Sequence, residues 1–389
     1  MSPAPPGERV VALDGLRGLA ALVVVLHQCL LALPPLADPY RPGRPAAEGV
    51  WAWLVYSPLH VLWQGPAAVY LFFVLSGYVL TLPALRASFC WSAYLPSRLV
   101  RLYLPTAAAV LLAVVVYALV PHETRPGASW WVNRHALDVT PAWVAKDMLL
   151  VLGTNSMNSP LWSLRWEVLF SLLLPLFVFL ARRVGRAWPA ALVVLLVLCW
   201  VGGRTSGHGG ALYYLPMFAL GAVLAAQRRL VGPWWERRAG GRRTGRVLLV
   251  VGVLLLSTHW MMIGVGVTTS WVRTVGVVLE LAGALLLVMT AIWSPAACRP
   301  LEHPVARWLG SRSFSLYLVH EPLAVAISML LPLDDQLLTP VLTVPLALLV
   351  AEGFFRLVER PSHRLARGVS RQTTAAIVPG PARALWPAS

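Results

Sequence analysis

Charge is what this sequence has least of. Aspartate, glutamate, lysine and arginine make up 12% of its 389 residues, about half the share of an ordinary soluble domain. With 58% hydrophobic residues, a soluble globular fold is excluded. Lysine is almost missing, Lys146 being the only one, so the formal charge of +16 comes from arginine. In a soluble protein that balance points to nucleic acid. Here the arginines sit between apolar runs, so they act as topology signals, and no nucleic-acid partner is expected. The four cysteines, Cys29, Cys90, Cys199 and Cys298, form no CxxC pair and lie in or beside apolar stretches. They read as structural thiols rather than metal ligands or redox groups. No metal site is expected, no HxxxxD acyltransferase motif occurs, and no glycine stands two residues before Ser76 to make a GxSxG elbow.

What is present is apolar run after apolar run, each near the roughly 20 residues that cross a bilayer. Ten spans are predicted, near 12–33, 66–82, 99–120, 161–181, 187–203, 211–227, 246–264, 274–293, 313–331 and 338–357. They must be helices, because each has to close its own backbone hydrogen bonds in lipid. The expected fold is therefore an all-α, polytopic integral membrane protein of about ten transmembrane helices. Residues 1–361 form the membrane domain and 362–389 a flexible cytoplasmic tail. The first run carries Arg17 and His27 and lacks a small-residue cleavage site, so it is expected to stay as a span and not leave as a signal peptide. With these spans 24 basic residues fall on one side, 7 on the other and Arg165 within a span. That asymmetry predicts a plasma-membrane protein with both termini in the cytoplasm. The segments 34–65 and 121–160, rich in Trp and Pro, are read as interfacial anchors or as a lid over a cavity.

Ionisable groups inside spans are costly and point to function. Asp14 and Arg17 stand three apart on the first span and can pair. Gln28 lies almost directly above Arg17, and His27 falls in the same broad sector about 15 Å further along the helix. A mid-membrane imidazole is the usual general base near neutral pH. Ser76-Gly77 in the second span suggests close helix packing. Arg98 and Arg101, three apart at the start of the third, suit bidentate phosphate recognition or lipid headgroup anchoring. Ser163 and Glu167 share a face in LWSLRWE, where Glu167 needs a partner such as His27 or Arg17. Ser313, Tyr317 and His320 form a polar stripe in LGSRSFSLYLVHEP.

In this order, LDGLRGLAAL with its histidine, FFVLSGY, RLVRLYLP, LWSLRWE and SFSLYLVHEP, the sequence resembles the acyltransferase 3 family of membrane acyltransferases from about Ala12 to Pro361. The resemblance implies O-acylation of a sugar, polysaccharide, lipid or secreted metabolite, with acetyl-CoA or another acyl-CoA as donor. The family's first-span arginine and histidine match Arg17 and His27. Its arginines after the second span match Arg98 and Arg101, and the glutamate of its WSL-x-x-E stretch matches Glu167. Nine residues separate Arg17 from His27 where the family usually has ten, and the usual position holds Gln28.

The expected chemistry is direct transfer. Arg98, Arg101 and Arg17 hold the CoA phosphates, and His27 takes the proton of the acceptor hydroxyl. Glu167 or Asp14 orients the imidazole, while Gln28, Ser163, Tyr317 and His320 line the acceptor site. The competing expectation from another class is a transporter or flippase for lipid-linked or small polar cargo.

Overall fold

The computed structural model describes residues 11–205, 210–267, 269–294 and 298–377. Arg9, and the end of the expected tail from residue 378 with Arg383, lie outside the described residues. The chain opens with α1 (Val11–Leu30). The segment after it carries α2 (Pro34–Ala37) and α3 (Gly49–Tyr56) before α4 (Gly65–Ala84) returns. α5 (Trp91–Leu119) leads to a second long segment with α6 (Trp130–Asn133) and α7 (Pro141–Leu149). Then come α8 (Leu161–Arg183), α9 (Trp188–Thr205), α10 (Ala211–Ala226), the polar α11 (Arg228–Ala239), α12 (Arg242–Leu255) and α13 (Thr258–Gly264). The chain finishes with α14 (Ser270–Trp293), α15 (Pro304–Leu330), α16 (Leu338–Phe354) and α17 (Arg360–Ile377).

Among the described residues there is no strand. Among the described residues eight helices are long and apolar enough to cross a membrane, or nine when the bent pair α12–α13 is counted as one span. α10 is a shorter apolar helix of 16 residues. The protein is an all-α, multi-pass membrane protein. Two expectations change in detail. The span at 246–264 is not one straight helix: α12 and α13 meet at 55°. The segment expected as a flexible tail starts as a helix, since α16 runs through a π turn at Phe355–Glu359 into α17, which packs against α5.

Lipid offers helices no hydrophobic reason to associate, so close packing falls to small residues. α1 lies against α15 through Gly18 and Gly310, and Gly15 meets Leu301 in the turn just before α15. A Cβ on Gly310 would sit 2.0 Å from the Asp14 carbonyl oxygen. α4 meets α10 in the same way, where a Cβ on Gly77 would sit 2.0 Å from the Phe218 carbonyl oxygen. Gly77 is thus a packing residue, as the Ser-Gly step suggested. With α1 also packed against α4, these contacts fix α1, α4, α10 and α15 in one frame. The bundle has a near end, where α1 begins, and a far end, where it finishes.

Candidate active site

At the near end the sequence delivers cations. Arg98 projects from the first turns of α5 and pairs with Glu167 of α8. Its Nε also donates to Ser171 Oγ at 3.3 Å, and Ser76 Oγ of α4 donates to Glu167 at 3.4 Å. The pair is only partly shielded, with side-chain exposures of 12% and 20%. Arg101 lies within electrostatic reach of both Arg98 and Arg17. The buried Glu359 faces them from the π turn while accepting from the Ser315 amide and hydroxyl. The structure therefore brings together the three arginines expected to hold phosphate, and it gives Glu167 to one of them.

The far end is built on different chemistry. His27, in the last turn of α1, is buried, and its Nδ1 donates to the Trp63 carbonyl at 3.0 Å. A carbonyl can only accept, so this bond places the proton on Nδ1 and leaves the Nε2 lone pair outward. No described group bonds Nε2, and the residue keeps 8% of its surface accessible. Gly65, which opens α4, gives the ring its room: a Cβ there would lie 2.5 Å from the imidazole Cδ2. Trp63 stacks on His27 at 5.8 Å, and Tyr40, His60 and Trp260 complete an aromatic shell. Burial pushes the Tyr40 phenol well above its ordinary pKa, and Glu280 adds to the effect. Burial likewise holds the His60 imidazole well below its own, with His27 adding to it. Beside them Gln64 Nε2 donates at 2.8 Å to Glu280, a carboxylate 1% exposed in the middle of α14.

Between the two ends, α15 holds the segment before α8. Pro322 has no N–H, which leaves the Leu318 carbonyl without its helical donor. Asn158 Nδ2 supplies one at 2.9 Å. Next to it the buried Glu321 accepts from the amide and hydroxyl of Ser159 and lies 3.4 Å from His135 Nε2. Tyr317 Oη donates to the Pro160 carbonyl at 2.9 Å and lies 2.7 Å from Ser163 Oγ. Asp147 closes the other side of this segment by accepting from the Asn155 amide at 2.6 Å. Burial raises the Asp147 pKa to about 6, against the lowering effect of that amide.

The expected site residues thus separate. Ser163 and Tyr317 meet, but they are spent on holding Pro160. His320 is buried on the same helix, with Nδ1 tied to the Leu316 carbonyl and Nε2 without a partner. Gln28 is half-buried, and its Oε1 has no hydrogen-bond partner. Asp14 cannot orient His27. Thirteen residues apart on one helix, the two stand roughly 20 Å apart along it. Glu167 does not orient it either. Ser76, its partner, lies about 16 Å down α4 from Gly65, the residue against the His27 ring. The orienting group is the Trp63 carbonyl instead.

Sequence reasoning missed Tyr40, His60, Gln64, Glu280 and Glu321. The two glutamates carried a usable signal, each being an acid inside an apolar run. Tyr40, His60 and Gln64 carried none.

The chain matches the family model described as the acyltransferase domain over residues 10–352. An O-acetyltransferase of Phomopsis amygdali, PaAT-1, is 24% identical over 371 residues, covering 80% of this chain and 71% of that protein. The acyltransferase MdmB of Streptomyces mycarofaciens is 27% identical over 335 residues, covering 80% and 78%. A putative peptidoglycan O-acetyltransferase of Bacillus subtilis (strain 168), YrhL, is 26% identical over 367 residues. That match covers 82% of this chain and about half, 54%, of YrhL. No solved structure matches.

Proposed function

Because this chain belongs to the acyltransferase domain family and is a membrane O-acyltransferase, we propose that it moves an acyl group, acetyl foremost, from acyl-CoA to a hydroxyl. The acceptor is a sugar, polysaccharide, lipid or secreted metabolite. The protein sits in the plasma membrane with both termini in the cytoplasm, a reading supported by the 24-to-7 division of basic residues. The near end then faces the acyl-CoA pool. Arg17, Arg98 and Arg101 hold the phosphates there, and the pantetheine arm runs along the bundle. Arg17 and His27 are about 15 Å apart on one helix, which is the length that arm must cover.

The observation that carries this reading is the His27 tautomer. With Nδ1–H held by Trp63, Nε2 is a proton acceptor aimed away from the backbone. The acceptor hydroxyl gives its proton to Nε2 as its oxygen attacks the thioester carbonyl carbon. The tetrahedral intermediate collapses, the C–S bond breaks, and the imidazolium returns the proton to the departing thiolate. Gln28 and His320 offer polar atoms for the acceptor.

The test is release of free CoA thiol from acetyl-CoA by the protein in lipid nanodiscs, supplied with surface glycan or secreted-metabolite fractions, with acetylated product followed by mass spectrometry. Release that depends on acceptor and on His27 supports the proposal. Movement of lipid-linked cargo across the bilayer without thiol release would overturn it in favour of a transporter.

A further inference from the structure

The segment between α1 and α4 places a second imidazole behind the first. Tyr40 Oη lies 3.0 Å from His60 Nε2 and 3.5 Å from His27 Nδ1. The direction of each bond follows from its far partner. His60 Nδ1 is 2.8 Å from the Val55 carbonyl and so carries the proton, which leaves Nε2 as an acceptor. Tyr40 must then donate to His60. Its oxygen keeps a lone pair for the Nδ1–H of His27, as a second, longer acceptor beside the Trp63 carbonyl. The chain runs one way: His27 Nδ1–H, Tyr40 O–H, His60 Nε2, with His60 anchored on Val55. His60 is fully buried and Tyr40 partly so, packed on Trp260 at 4.3 Å.

We infer that Tyr40 and His60 form a positioning dyad for His27, a charge-neutral counterpart of the carboxylate that backs the histidine in hydrolase triads. The inference rests on the acyltransferase reading and on His27 as its base. When His27 gains a proton on Nε2, its Nδ1–H becomes a stronger donor. The Tyr40–His60 pair answers by polarising along the chain, since linked hydrogen bonds strengthen one another in a low-dielectric interior. An acid in this position would be a buried charge needing its own partner in every resting state. A phenol backed by a neutral imidazole needs none. No proton has to leave the chain for the effect.

The test combines kinetics with a spectroscopic readout that does not depend on turnover. Tyr40→Phe keeps the ring packed between Trp63 and Trp260 and deletes only the hydroxyl. In acetyl-CoA thiol release it should lower kcat about tenfold, the order of one hydrogen bond to a charged group, with KM for acetyl-CoA unchanged. His60→Gln should cost less. The double substitution should cost no more than Tyr40→Phe alone, because His60 acts through Tyr40. In nanodiscs with 15N-labelled histidine, Tyr40→Phe should shift the ring-nitrogen signals of both His27 and His60, assigned from His27→Ala and His60→Gln. Full activity in Tyr40→Phe, losses that multiply in the double variant, or an unmoved His27 signal would each overturn the dyad. If wild-type protein released no thiol, or His27→Ala kept full activity, the acyltransfer mechanism would fall. The nitrogen signals would still decide whether the chain exists.

Discussion

The two ends of this bundle solve the same problem in opposite ways. The near end keeps its charges: Arg98 against Glu167, a pair only partly shielded, and Arg17 and Arg101 facing the buried Glu359. The far end buries its polar groups: imidazole, phenol and carbonyl join around His27, and the Glu280 carboxylate beside them is met by the Gln64 amide rather than by a cation. The difference follows from what each end would meet. An anionic ligand is bound best by full charges in a fork geometry. A general base, the role proposed for His27, has to be uncharged before it can take a proton, and neighbours that orient it without protonating it suit that role.

The sharpest way to break this comparison is at His27. His27→Ala should lower acyl transfer by about 10²–10⁴-fold, with KM for acetyl-CoA unchanged because the arginines are untouched. A kinetic assay in nanodiscs decides it, and a change in KM without a change in kcat would erase the division between the ends. Next in size, Arg101→Ala should raise KM for acetyl-CoA about tenfold, the contribution of one charge-assisted hydrogen bond, and Arg101→Lys should recover only part of it. Arg98→Ala removes the same contact and also strips Glu167 of its partner. It should therefore cost more than Arg101→Ala and show in thermal stability as well as in KM.

Glu167→Gln sharpens the same line from the acidic side. Standing about 16 Å from the level of His27, it should weaken donor binding a few-fold and leave kcat intact. A loss of kcat at constant KM would reinstate Glu167 as the orienting group. The smallest effect concerns pH. In the fold Asp147 keeps its proton up to about pH 6, whereas an unfolded chain loses it near 3.9. The folded state therefore binds more protons inside that window. The stability this contributes is present below about pH 4 and is lost as pH rises towards 6. Asp147→Asn should flatten that slope in thermal unfolding measured in detergent, without altering the response of donor binding to salt.

The helices were legible because lipid forces each apolar run to close its own backbone bonds. The near-end site was legible for a related reason: Arg17, Arg98, Arg101 and Glu167 stand on spans, where a charge in an apolar run announces itself. The bend at α12–α13 was not, since a 55° break leaves no mark on hydropathy. His27 was legible as a polar residue inside the first span, but its hydrogen-bond partner was not, because a backbone carbonyl has no side chain to read. Tyr40 and His60 sit in a Pro- and Trp-rich connection whose path only tertiary packing decides. Trp63 was expected at an interface or in a lid, and it is 1% exposed, stacked on the histidine it orients.

The missing donor at Pro322 bears on how the protein is made. A free carbonyl in hydrocarbon costs several kcal/mol, so α15 enters the bilayer incomplete by one bond. Asn158, which supplies that bond, is synthesised about 160 residues earlier. The last third of the chain is thereby checked against the middle third during assembly. A chain in which that docking fails would present an unsatisfied, kinked helix to the quality-control machinery of the membrane.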